Sequence, residues 1–278
     1  MPLPITDTRD AFRPVCREIV DLLRTLVTDD WERPANAGGW RVRDVVAHLL
    51  DTALRRLSFH RDRSGPPPGT RPTPTDRELV TFINDLNAAW IRAAERVSTR
   101  VLTDLYARAS TDLADFVETL DLHASALFAV SWAGETQSVQ WLDIGREFTE
   151  VWHHGSQIRN AVGAGPFSDP RWLQAVLQIA LHALPHAYRD VPGREGVSVS
   201  IRITGRASGV WTLHHRGGTW DIDEGLRPGA ATIATMSDEV AWRLLFNALP
   251  LSEAQSAVQL EGDADLARPL LHARSVIV

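Results

Sequence analysis

The sequence predicts an α plus α+β chain, a four-helix bundle followed by a small α+β domain, and three observations carry that reading. Apolar residues recur every three or four positions through five long segments that end at Gly163. Beyond residue 192 they alternate with polar residues in short runs separated by glycine turns. Helical stretches and further extended runs then follow one another to the end, the mark of a mixed helix and sheet layer. We expect the bundle over 1–165, a connecting helix and linker over 166–192, and the α+β domain over 193–278.

Phe12, Val15, Ile19, Leu22, Leu23 and Leu26 predict a first helix over 8–29. The loop DDWERPANAGGW ends it, and a second helix over 41–62 carries the stripe Val42, Val45, Val46, Leu49 and Ala53. The run SGPPPGTRPTPT cannot continue a helix, because its prolines lack the amide hydrogen; a surface loop is expected there. Leu79, Ile83, Leu86, Trp90, Ala94 and Val97 predict a third helix over 75–98, a fourth is expected over 111–130, and a fifth over 139–162 is closed by Gly163. Asn87 interrupts the third stripe, and an amide in that place needs a hydrogen-bond partner. A sixth helix over 169–187 leads into VSVSIRIT, GVWTLHH and TWDID, which read as an antiparallel meander. A helix from Ser237 to Asn247, a strand in AVQLEG, a helix from Asp263 to His272 and a terminal strand SVIV complete the second part. No internal repeat is visible.

At 278 residues the chain has room for two domains, and a hydrophobic fraction of 44% suffices for packed cores. Its 29 basic residues are all arginine against 35 acidic ones, a net charge of -6 that excludes a general nucleic-acid or anionic-membrane surface. The lysine-free, arginine- and alanine-rich composition suggests a GC-rich coding genome. Cys16 is the only cysteine, so no internal disulfide forms, and its apolar setting reads as a buried, inert thiol. With no apolar run of spanning length, neither a signal peptide nor a transmembrane helix is expected, and a cytoplasmic protein is. Composition leaves the oligomeric state open between monomer and dimer.

Glu150 and His154 stand four apart in REFTEVWHHGSQIRNAVG, so both project from one helix face, beside the stripe Ile144, Phe148, Val151, Ile158 and Val162. His48 flanks the stripe of the second helix in the same manner. If the two faces meet, two imidazoles and a carboxylate form a divalent-metal site with an open position, the catalytic rather than the structural pattern. Asp44, one turn before His48, is then the expected acceptor for its second ring N–H. The alternative is a partly buried His48 bonded to Asp44, with Glu150 and His154 a surface pair; spacing alone leaves both open. His153 points about 100° away from His154 and reads as a bystander or pocket residue. His214 and His215 are consecutive on a strand, face opposite sides, and cannot share one metal. The ten tryptophans, among them Trp40, Trp90, Trp152, Trp211 and Trp242, read mainly as core packing. GRASG and HRGGTW are turn glycines rather than phosphate loops.

The segments GGWRVRDVVAHLL and FTEVWHHGSQIRNAVG resemble the N-terminal domain of the mycothiol-dependent maleylpyruvate isomerase family, a branch of the DinB-like metal-binding four-helix bundles. The stretch MSDEVAWRLLFNALPLSEAQSAVQLEGDADLARPLLHARSVI is similar to the sterol-carrier-like domain that follows it there. The resemblance implies a divalent metal, zinc foremost, held by His48, Glu150 and His154. It implies mycothiol, a low-molecular-weight thiol, as cosubstrate attacking an electrophilic small molecule, with isomerase or thiol S-transferase outcome. A thiolate suits such a site, being a soft ligand that metal coordination deprotonates near neutral pH. Family members often carry an acidic residue three positions after the last histidine, where this chain has Gln157, which keeps a hydrogen bond but not the charge. Gln157 and Arg243 are the candidate catalytic side chains, and Asn87 and Arg243 the candidates for binding the cosubstrate. Arg243 stands where relatives often have a basic residue, and its fork geometry suits a carboxylate. The rival reading keeps the scaffold for a non-enzymatic small-molecule or partner-binding protein.

Overall fold

Six apolar positions at helical spacing, Phe12, Val15, Cys16, Ile19, Val20 and Leu23, are all buried and hold α1 (Arg9–Leu23) in its core. The computed structural model describes residues 3–65 and 76–276. The expected loop over 64–75 therefore lies outside the described residues from position 66 onward. The chain divides into two compact units, Asp7–Leu127 with Glu150–Ser168, and Met1–Thr6 with Phe128–Thr149 and Asp169–Val278.

The first unit is helical. After α1 come a single turn, α2 (Thr28–Trp31), and a small hairpin, β1 (Pro34–Ala37) with β2 (Trp40–Arg41), which the sequence reading had as plain loop. Gly38 and Gly39 make its turn with φ of 58° and 89°, a left-handed pair that glycine adopts without the Cβ clash. α3 (Val42–Arg56) runs directly from the hairpin and ends in a π-helical turn, Leu57–Arg61. α4 spans Asp76–Ala94. α5 spans Thr99–Glu118, displaced from the expected 111–130. Ser98 caps it by accepting the Val101 amide, and Leu102, Tyr106, Ala109, Leu113 and Val117 form its buried stripe. Past Thr119 the chain turns through Asp121, whose carboxylate takes the His123 amide, so no helix continues.

α6 (Gln140–Val162) matches the expected fifth helix, its residues from Glu150 on belonging to the helical unit. Gly155 has a packing reason: a Cβ there would stand 2.7 Å from both Ile19 Cδ1 and Phe167 Cζ. Its absence lets α6 lie close against α1.

After the first half of α6, the second unit continues with α7 (Pro170–Ala180) and α8 (Ala183–Ala187), where one helix over 169–187 was expected. The break has a cause in Pro185: without an amide hydrogen it is tolerated in the first turn of a new helix but not within a continuing one. A five-stranded sheet follows, in the order β5-β4-β3-β6-β7, from β3 (Ser198–Thr204), β4 (Gly209–Arg216), β5 (Thr219–Glu224), β6 (Thr232–Ser237) and β7 (Gln259–Gly262). β3, β4 and β5 are the expected antiparallel meander. β6 was not foreseen; it pairs parallel with β3 and antiparallel with β7. Val199, Ile201, Ile203, Trp211, Leu213, Ala234 and Met236 share the sheet's apolar face. α9 (Asp238–Leu245), α10 (Leu251–Ala257) and α11 (Ala264–His272) complete the unit, α10 being an addition to the expected elements. Ser275 and Val276 form a bend, not the expected strand, and 277–278 lie outside the described residues. The predicted architecture, a helical N-terminal region and a C-terminal sheet-containing domain, is present. Among the described residues, no helix is long and apolar enough to cross a membrane.

Candidate metal centre

The start of α3 is fixed by one carboxylate. Asp44, at the third helical position, accepts the backbone amide of Arg41 at 2.9 Å, and the Arg41 guanidinium binds both of its oxygens at 2.9 and 3.0 Å. A negative charge there satisfies an unpaired first-turn amide and the helix dipole together. This occupation overturns one expectation: Asp44 is not the acceptor for His48. The His48 Nδ1 is buried and meets no hydrogen-bond partner among the described residues.

His48 sits one turn further along α3 and points its other nitrogen at α6. Nε2 lies 2.9 Å from Glu150 Oε1, and His154 Nε2 lies 3.2 Å from the same oxygen. Helical spacing places Glu150 and His154 on one face of α6, and packing brings His48 to them from a hundred positions away. One donor atom from each residue lies within 4.8 Å of the others. The side chains of His48 and His154 are 5% and 10% exposed and that of Glu150 is 27% exposed, so the carboxylate side is the open one.

Gln157, one turn beyond His154, determines its tautomer. Gln157 Oε1 stands 2.7 Å from His154 Nδ1, and a carbonyl oxygen only accepts, so the proton belongs on Nδ1. His154 Nε2 is then a bare lone pair facing a carboxylate oxygen, an arrangement that only an added proton or a cation between them makes favourable. Two imidazole nitrogens and a carboxylate oxygen are the ligands that divalent zinc and its neighbours take. The residues therefore fit a divalent cation.

Electrostatics agree with that donor set. Burial pushes the His48 imidazole down, so it stays neutral and keeps a lone pair to give. Burial alone would raise the Glu150 carboxyl, but positive charge at the His154 nitrogen, as an added proton or a cation would supply, together with the hydrogen bonds of His154 and His48, outweighs it and holds the carboxyl well below the usual carboxylate range. His153 lies beside the site, its ring 5.1 Å from that of His154, and burial first, then any positive charge gathered at His154, pulls it down to about 3.

One side chain at the site escaped the sequence reading. The Trp40 indole lies 5.0 Å from the His48 ring and 6.3 Å from the His154 ring. Its signal was the GGW turn immediately before the ligand helix.

The other candidates have contacts of their own. Asn87, on α4, is buried and its Oδ1 accepts from the Arg55 guanidinium at 3.0 Å; Arg55 also pairs with Asp51 at 3.1 Å. The partner its amide required is thus a side chain of α3. Arg243, on α9, belongs to the sheet-containing unit, is half-buried, and its guanidinium makes no hydrogen bond or ion pair among the described residues. His214 and His215 do face opposite ways: His214 is buried with Nε2 3.2 Å from Asp223, while the His215 ring packs on Trp220.

The triad lies within a known domain: residues 12–159, more than half of the chain, match the family model described as mycothiol maleylpyruvate isomerase N-terminal domain. The chain belongs to that family. Beyond this domain, a crystal structure of the mycothiol-dependent maleylpyruvate isomerase is similar to the chain with a TM-score of 0.57 at 13% identity, over 94% of this chain and 95% of that one. A histidine-to-alanine mutant of that isomerase gives 0.54 at 12% identity over the same shares. At such identities the likeness to the maleylpyruvate isomerase is one of fold, and it extends through the sheet-containing part. No curated protein sequence matches.

Proposed function

We propose that this member of the maleylpyruvate isomerase family is a mycothiol-dependent enzyme working with a divalent metal, zinc foremost, at His48, Glu150 and His154. The observation that carries the reading is the convergence of those three donor atoms, with Gln157 leaving His154 Nε2 bare. When bound, a divalent cation lowers the pKa of a coordinated thiol so that the thiolate, the nucleophilic form, is present at neutral pH.

The residues of the chain have separate tasks in this reading. His48 and His154 provide neutral nitrogen ligands, and Glu150 provides the one negative charge of the triad. Gln157 holds the His154 tautomer without adding a second charge, so the triad with a divalent cation carries a net charge of about +1, favourable to an incoming thiolate. The buried imidazoles keep water from the histidine side, and approach is left to the side of Glu150. We assign Arg243, whose guanidinium has no partner among the described residues, to a substrate carboxylate, and the Asn87 amide nitrogen to a polar group of the thiol.

Calorimetry with mycothiol tests the reading directly. Metal-loaded protein is expected to bind mycothiol, and chelated protein and His48→Ala are not. A folded, metal-loaded protein that ignores mycothiol would sink it and favour a non-enzymatic binding role. Product mass separates the two reaction classes: sulfur retained in the product means thiol transfer, and an isomer of unchanged mass means isomerisation.

A further inference from the structure

We propose that Trp40 is a positioning residue for the two histidine ligands, supplying by ring packing the restraint that His48 lacks in hydrogen bonds; the inference rests on the metal-site reading above. A ligating imidazole is ordinarily oriented through its second nitrogen, which donates to a carboxylate, carbonyl or water. His154 follows that rule through Gln157. His48 does not: its Nδ1 is buried without an acceptor among the described residues, and Asp44, one turn before it, is engaged by Arg41.

The His48 ring is nonetheless enclosed by rings. Trp40 stands 5.0 Å from it at an interplanar angle of 48°, and His154 stands 4.7 Å away edge-on at 76°. Both separations lie in the range where ring pairs attract. The same indole reaches His154, 6.3 Å away at 30°, so one side chain bears on both ligand rings. A rotation of the His48 ring about its Cβ–Cγ bond would give up its present packing on the indole.

The backbone holds the indole on both sides. Before it, the left-handed glycines Gly38 and Gly39 close a two-residue hairpin turn, with Ala37 opposite Trp40 in the ladder. After it, Arg41 is tied to Asp44 by its backbone amide and guanidinium, and to Glu32 at 2.9 Å. The three bonds that divert Asp44 from His48 are the ones that fix the base of Trp40. The hairpin and the cap thus act together: they remove a hydrogen-bonding partner from His48 and put an aromatic wall in its place.

Cobalt(II) binding tests this without any turnover, because its visible absorption reports ligand geometry. Wild type, Trp40→Phe and Trp40→Leu are titrated with cobalt against a competing chelator, with circular dichroism confirming the fold. Trp40→Leu is expected to bind about tenfold more weakly, the low end of what loss of an orienting partner costs, with a changed visible band. Trp40→Phe, which keeps a smaller ring, is expected to fall between the two in both readouts. Should Trp40→Leu lose its fold, the phenylalanine variant decides by the same criteria. Variants with the affinity and spectrum of the wild type overturn this inference alone; wild-type protein that takes up no cobalt overturns the metal reading with it.

Discussion

Gln157 Oε1 lies 2.7 Å from His154 Nδ1, and this one contact decides which nitrogen of His154 faces Glu150. The charge lost relative to an acidic residue at this position does not remove the orienting bond. Gln157→Leu deletes the acceptor and leaves the imidazole free to rotate or to move its proton to Nε2, so metal affinity is expected to fall about 10- to 100-fold. Gln157→Glu restores a stronger, charged acceptor and is expected to bind metal at least as well as the wild type. Chelator-competition titrations of the three proteins check both directions; equal affinity in Gln157→Leu contradicts the assignment.

Asp44 carries the opposite expectation, because it serves the helix and not the ligand. Asp44→Ala removes the acceptor for the Arg41 amide and guanidinium, and loss of such a terminal partner costs about 1 kcal/mol. The urea midpoint is expected to drop accordingly. Since Asp44 makes no bond to His48, metal affinity should change far less than in Gln157→Leu. A large loss of affinity with unchanged stability would show that Asp44 orients the imidazole after all.

These two residues mark how far the sequence could be read. Helical period alone sets Glu150 and His154 on one face and puts His48 beside its own stripe, because both rules are local. The level along α3 and α6 at which the faces meet is a property of packing between distant segments, and no spacing states it. Asp44 at one turn from His48 had two equally local partners, and the competition went to Arg41, three residues away at the helix start. Trp40 was invisible as a site residue because an aromatic after a glycine pair fits a core as well as a ligand wall. β6 was missed for a related reason: TIATMS has weak alternation, and its partner β3 is a parallel strand some thirty positions earlier. The displaced α5 is the reverse case: its start is set by a local signal, the Ser98 cap, which the apolar period does not carry.

Metal removal gives a stability readout of the triad. A ligand that binds only the folded state at a hundred times its Kd adds about 2.7 kcal/mol. Zinc at that excess is therefore expected to raise the unfolding midpoint of the wild type, and chelator to reverse it. His48→Ala, Glu150→Gln and His154→Ala are each expected to lose the increment. If Glu150→Gln keeps the full zinc-dependent rise, the carboxylate is not a ligand.

His182 predicts a pH dependence that has nothing to do with the metal. It lies between α7 and α8, its ring packed edge-on against Trp141 at 5.3 Å, and burial pulls its pKa from 6.5 to about 4. The folded state thus resists a proton that the unfolded chain accepts. Between those two values the unfolded state binds more protons, so stability falls as pH drops below about 6.5 and levels off below 4. Above neutrality this histidine contributes no slope. Because the residue is only half-buried, we discount the full shift and expect about 1–2 kcal/mol to be lost between pH 7.5 and pH 5. His48 and His153 add the same sign, so the decisive quantity is the difference between wild type and His182→Gln, a side chain that does not titrate. Urea unfolding at both pH values should show a smaller acid-induced loss in the variant; equal losses would mean that His182 reaches solvent in the fold and titrates as it does in the unfolded chain.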